Sequence, residues 1–97
     1  MEIQFTDEAN DDLEYIYQFL IDAGVANAAG ILRGVIDAAD NLLVFPKMGA
    51  LVLMLKYSDE IRDYYHKNFC LRYLVTNECI FILRVWHQKE KERNDLT

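Results

Sequence analysis

Apolar and polar positions alternate with period two over EIQFT, residues 2–6, which predicts a short first strand. The period then changes. Thr6 followed by Asp7 and Glu8 marks a helix start, a hydroxyl N-cap with acids at the positive end of the dipole. Ala9, Leu13, Ile16, Tyr17 and Leu20 recur at helical spacing, so one face is apolar from about residue 7 to 22, and Gly24 supplies a stop. A second helix is expected from Val25 to Leu43, with Ala28, Ile31, Leu32, Val35, Ala39 and Leu42 as its apolar stripe. Phe45-Pro46 ends it, because the residue before proline is pushed out of the α region. Ala26, Gly30, Gly34 and Ala38 form a ridge of small residues. Each internal glycine weakens the helix by about 1 kcal/mol relative to alanine, so close packing inside the helical hairpin is expected to offset it.

The back half reads as strands. EIRDYYH (60–66), FCLRYLVT (69–76) and CIFILRVW (79–86) are rich in β-branched and aromatic residues and are separated by the polar pairs Lys67-Asn68 and Asn77-Glu78. ALVLMLKY (50–57) is an apolar run of open secondary structure. The order β-α-α-β-β-β predicts one α+β domain over residues 1–97. Its antiparallel sheet would carry the first strand at an edge and the helical hairpin on one face, and residues 88–97 are expected to form a flexible tail.

Two-residue turns divide the sheet into faces. Arg62, Tyr64, Phe69, Leu71, Tyr73, Val75, Ile80, Ile82, Arg84 and Trp86 fall on one, the better core. Ile61, Asp63, Tyr65, Cys70, Arg72, Leu74, Phe81, Leu83, Val85 and His87 fall on the other, with Asp63 opposite Arg72 as an ordinary surface pair. Two helices cannot cover both faces. Either ALVLMLKY folds over the second face or an apolar patch is left for a partner; the partner is the expectation carried forward. Arg84 on the core side needs a carboxylate, and Asp12 of the first helix is the expected mate.

Charge narrows the function classes. The net charge is −6, split between −8 for residues 1–46 (nine acids, one base) and +2 for residues 47–97 (nine bases, seven acids). Such a chain is poorly suited to gripping phosphate backbones over a broad surface. Its beginning lacks the basic and apolar regions of a secretory signal, and no segment approaches the roughly 18 apolar residues of a membrane span. A cytoplasmic protein is expected. Cys70 and Cys79 fall on neighbouring strands several residue pairs apart, with Cys70 level with Val85, too distant for a disulfide. Neither has a second Cys or His at ligand spacing, so no metal and no cofactor is expected. There is no glycine-rich phosphate loop and no nucleophile elbow. Arg84 and His87, three apart near the end of the last strand, are weak candidates for catalysis, as a general acid or base beside a cation, and His66, beside a turn, is a weaker one still. The bland alternative is a polar residue closing a strand.

Taken in order, these pieces resemble the RelE/ParE superfamily of toxins from bacterial type II toxin–antitoxin modules. The residues that carry the resemblance are Ala9-x-x-Asp12-Leu13-x-x-Ile16 on the first helix, Phe45-Pro46-x-Met48-Gly49 after the second, and Ile61-Arg62. Phe69, Leu71, Tyr73 and Val75 on one strand and Ile82-Leu83-Arg84-Val85-Trp86-His87 on the last complete it. The resemblance implies neutralisation by a cognate antitoxin, a small DNA-binding protein whose C-terminal segment wraps the toxin. RelE-like members cut mRNA in the ribosome; ParE-like members poison DNA gyrase. Where the superfamily has Gly-Tyr-Arg this chain has Asn68-Phe69-Cys70, so that arginine is missing, and the long hairpin and Arg84-Val85-Trp86-His87 ending look closer to ParE. The reading is therefore a ParE-like gyrase inhibitor acting by binding. The alternatives are a ribosome-dependent mRNA endonuclease or a non-toxic antitoxin-binding member. Leu51, Val52, Leu53, Leu55, Leu74, Phe81 and Leu83 are the expected antitoxin-binding residues.

Overall fold

A computed structural model describes residues 1–89; the expected flexible tail lies almost wholly outside them. The elements are β1 (Glu2–Phe5), α1 (Asp7–Asp22), α2 (Ala28–Ala38), α3 (Asn41–Val44), β2 (Ala50–Met54), β3 (Glu60–His66), β4 (Phe69–Val75) and β5 (Cys79–His87). Helix α1 starts as its sequence dictates, with the Thr6 hydroxyl accepting from the Ala9 N–H at 3.1 Å. Ala9, Leu13, Ile16 and Leu20 are its buried face. Gly24 closes it in a left-handed conformation (φ +74°), and Val25 N–H reaches back to the Leu20 carbonyl at 3.0 Å.

The second helix differs from its expected span. Asn27 adopts a left-handed conformation before it, and the backbone loosens after Ala38 before the single turn of α3. The apolar stripe survives the break, with Ala28, Val35, Ala39 and Leu42 all in the core. Tight packing against the glycine ridge does not occur. A methyl group at Gly34 would meet nothing within 4 Å, and one at Gly30 would meet the Asn27 side chain rather than another helix.

The sheet has five strands in the order β1-β5-β4-β3-β2. It is mixed rather than antiparallel throughout: β1 lies at an edge, as expected, but runs parallel to β5 (Ile3 level with Ile80). The other neighbours are antiparallel, and Asp63 stands opposite Arg72. Leu71, Tyr73, Val75, Ile80 and Ile82 form the core face together with the buried side of α1. The open question over residues 50–57 resolves into an edge strand and a short 3₁₀ turn at Lys56–Ser58. That segment pairs with β3, so it does not fold over the second face as a covering loop.

The register of the last hairpin departs from simple two-residue alternation. Tyr73 pairs with Ile82 but Arg72 pairs with Arg84, so β5 carries a bulge around Leu83. Beyond it every side chain changes face. Val85, expected on the open face, is level with Leu71 and buried; Trp86, expected in the core, is level with Cys70. Cys70 is therefore not opposite Val85, although neither cysteine forms a disulfide and both are buried.

The loop between α3 and β2 is anchored by a buried tyrosine. The Tyr73 hydroxyl donates to the Pro46 carbonyl (2.8 Å) and accepts from the Gly49 N–H (3.0 Å). Gly49 is required for that approach, since a Cβ there would lie 2.7 Å from the Asp63 carbonyl oxygen and 2.8 Å from the Tyr73 hydroxyl. Tyr73→Phe should destabilise the fold by about 1–3 kcal/mol, the range for stranding a buried donor. Gly49→Ala should do so by about 1–3 kcal/mol through overpacking. Urea denaturation followed by circular dichroism measures both.

Candidate functional site

Three arginines on the sheet could have offered cationic chemistry, and each is held by a carboxylate. Arg84 donates from Nε to Asp12 Oδ2 (2.8 Å) and from Nη2 to Asp12 Oδ1 (3.0 Å). The same Oδ2 accepts from the Val85 N–H at 2.9 Å. Asp12 therefore clamps both the bulged backbone of β5 and its side chain. Arg84 is not the core-side residue that simple alternation gives: its side chain is 58% exposed, against 16% for Asp12. The Asp12 bond raises the guanidinium pKa further above its ordinary value.

Arg72 makes a bidentate pair with Asp63 (2.8 and 2.9 Å) and lies over the Trp86 ring, 5.1 Å from its centroid. Asp63 is buried, so this is a desolvated structural contact and not the surface pair expected from alternation. Arg62 bridges Glu60 (3.3 Å) and the carbonyls of Lys47 (3.1 Å) and Gly49 (2.6 Å), and Lys47 Nζ lies 3.4 Å from Glu60. The hydrogen bond from Arg62, aided by Lys47, holds the Glu60 carboxyl below its usual pKa. This network fixes the loop 45–49 against β3. Sequence reasoning passed over it, although Glu60 and Arg62 share a face at the i, i+2 spacing of a strand.

His87 does not join Arg84 in one constellation. The bulge turns it toward the helices, where its ring sits 5.1 Å edge-on from Phe69 and 6.0 Å from Phe19. Burial, with a smaller contribution from Lys89, lowers its pKa below the ordinary imidazole value, and Nδ1 accepts from the Lys89 N–H at 3.1 Å. The other histidine, His66, lies beside Tyr64 at the β3–β4 turn. Among the described residues no group of three His, Cys, Asp or Glu is placed to hold a metal ion, and no helix is long and apolar enough to cross a membrane.

The apolar positions expected to bind a partner separate into two kinds. Leu51, Val52, Leu53 and Leu55 are exposed by 40–51%, in one continuous strip along the β2 edge. Leu74, Phe81 and Leu83, on the open face, are half-buried. The exposed apolar surface thus sits on the edge of the sheet more than at its centre. Near it, a shallow cavity of about 660 Å³ is lined by Met1, Phe45, Pro46, Met48 and Val75.

The fold is shared with a solved structure. A chain of the chromosomal ParDE TA system from P. aeruginosa matches with a TM-score of 0.70 and 20% identity, covering 90% of this chain and 95% of that one. The architecture is thus that of a small α+β domain, with helices packed on a mixed five-stranded sheet. The family model described as "ParE toxin of type II toxin-antitoxin system, parDE" matches residues 3–92. The chain belongs to the ParE toxin family. Among curated proteins no match is found.

Two outcomes follow from the clamp and the imidazole. Asp12→Ala should destabilise by about 1–3 kcal/mol, because it strands the Val85 N–H at the bulge, while Arg84→Ala should change stability by less than about 1 kcal/mol, as exposed pairs do. Equal effects in urea titrations would contradict the clamp. His87 is bound neutral, so its contribution is present above the unfolded-state imidazole pKa and is lost as pH falls below it, until the lower folded-state pKa is passed. Between pH 7 and 5 the wild type should lose more stability than His87→Leu in thermal melts at matched salt.

Proposed function

We propose that this ParE-family toxin acts by binding DNA gyrase and not by a catalytic step of its own. The observation that carries this reading is the pairing of Arg62, Arg72 and Arg84 with Glu60, Asp63 and Asp12. A ribosome-dependent nuclease has to hold an RNA phosphate and stabilise charge building on it. Here the three sheet guanidinium groups are already neutralised by the protein's own carboxylates. The nuclease alternative also needs Arg84 and His87 to act together, and one is tied to α1 while the other packs between two phenylalanine rings.

The cognate antitoxin is proposed to cover the apolar residues Leu51, Val52, Leu53 and Leu55, extending toward Leu74, Phe81 and Leu83. Strand addition suits the edge, since β2 has a neighbour on one side only. Its exposure supports this reading: an apolar strip of that kind is a liability for a chain left alone.

Induced expression without antitoxin should give filamentous cells and DNA-damage signalling before protein synthesis falls. Purified toxin should inhibit gyrase supercoiling or trap cleaved DNA, and added antitoxin should reverse the effect. Early arrest of translation with intact gyrase activity would favour the nuclease. Normal growth at high expression would favour the non-toxic binding module.

A further inference from the structure

Helices α1 and α2 leave a groove between their exposed sides. Two cavities, of about 800 and about 250 Å³, share Tyr17, Ala29 and Leu32 and so run into one another. The floor is apolar, with Leu13 buried, Leu32 half-buried, and Tyr17 and Ile36 each exposed by 39%. Ala29 keeps the middle open, where a larger side chain would fill it. The rim is acidic. Asp7, Asp11, Glu14, Gln18 and Asp22 recur every three or four residues and form one row along α1. Glu14 and Gln18 of that row line the groove. Across it, Arg33 lines the groove and Asp37 and Asp40 continue its row at the same spacing. All six acids are exposed. Among the described residues, the ion pairs engage Asp12, Glu60 and Asp63 and none of these six. Helix α1 carries no basic residue, and Asp22 ends it, where the helix dipole disfavours a negative charge. Asp7 and Asp11, one turn apart, repel each other.

We propose that this groove receives a cationic amphipathic helix of a partner polypeptide. Charge decides the occupant. A second copy would set the acidic rows against each other, and anionic lipid or nucleic acid would be repelled in the same way. The groove offers side chains and no free strand edge, so its floor suits the ridge of another helix and not an added strand. Apolar residues of that helix, at i, i+3, i+4 and i+7, would lie along Leu13, Tyr17, Leu32 and Ile36. Lysine or arginine on its flanks would meet the two acidic rows. The lined stretch of α1, from Asn10 to Gln18, rises about 12 Å, enough for two to three turns of the partner. The site lies on the helices and stands whichever molecule takes the β2 edge.

Full-length toxin, separated from its antitoxin by denaturant and refolded, is titrated against a fluorescein-labelled peptide and followed by anisotropy. The peptide is an amphipathic helix of about 18 residues, leucine on one face and lysine on the other. Binding should saturate at one peptide per chain and weaken about tenfold or more as salt rises from about 50 to about 500 mM. The same composition with leucines scattered around the helix should bind about tenfold or more weakly. Ala29→Trp fills the groove without changing charge and should weaken binding about tenfold or more. Asp11→Lys with Glu14→Lys should do likewise, and circular dichroism checks that each variant is folded. Asp59→Lys with Glu78→Lys, the same change of charge in two turns of the sheet, should alter binding by less than about threefold. Absence of saturable binding, equal binding of the scattered peptide, or equal losses from the groove and sheet charge pairs would overturn the proposal.

Discussion

One carboxylate sets the geometry of the last strand. Asp12 takes the Val85 N–H and two N–H donors of Arg84, from Nε and Nη2, and so fixes α1 against β5 at the place where the strand bulges. Because side chains alternate with period two, a single extra residue decides what lies inside. With the bulge held, Val85 fills the core, His87 meets Phe19 and Phe69, and Trp86 goes to the far face to stack with Arg72. The sheet's arginines are consumed by this internal order. Each is a strut between elements, so the three sheet guanidinium groups among the back half's bases are engaged within the fold.

A second set of contacts holds the exposed β2 edge. Tyr73, deep in the core, reaches Pro46 and Gly49, and Arg62 reaches Lys47 and Gly49 from the same side. The segment leading into β2 is therefore fixed from below by buried groups, while β2 itself remains exposed. A rigid lead-in with an exposed strand lowers the ordering cost for whatever pairs with it. The exposed residues and the polar network beneath them thus belong to one device.

Much of this was legible in the residues. Thr6, Gly24 and Pro46 act through local backbone chemistry, so the ends of α1 and the end of helical structure before Pro46 could be read directly, although not the break between α2 and α3. The hairpins turn where Lys67-Asn68 and Asn77-Glu78 place them. The bulge was not legible, because period two has no signal for one inserted residue, and Val85, Trp86 and His87 were assigned to the wrong face as a result, whereas the expected Asp12–Arg84 pair is present. The glycine ridge misled for a different reason: Gly30 and Gly34 suggested close helix contact, but the nearest group to Gly30 is the Asn27 side chain and Gly34 borders open space. The Glu60–Arg62 bridge needed knowledge of where residues 45–49 return, which is a tertiary fact.

The pairing of β1 with β5 joins the two ends of the fold, and Thr6 reaches Leu83 across a separation of 77 residues. Both β1 and α1 lean on β5, the last of the described strands in chain order. Contacts of such long range are slow to form, because a large loop must close before they contribute. During synthesis the first helix therefore waits without its platform. The contacts of β1 and α1 with β5 can form only once that strand is present, whereas the β2–β3–β4 pairings are local in sequence.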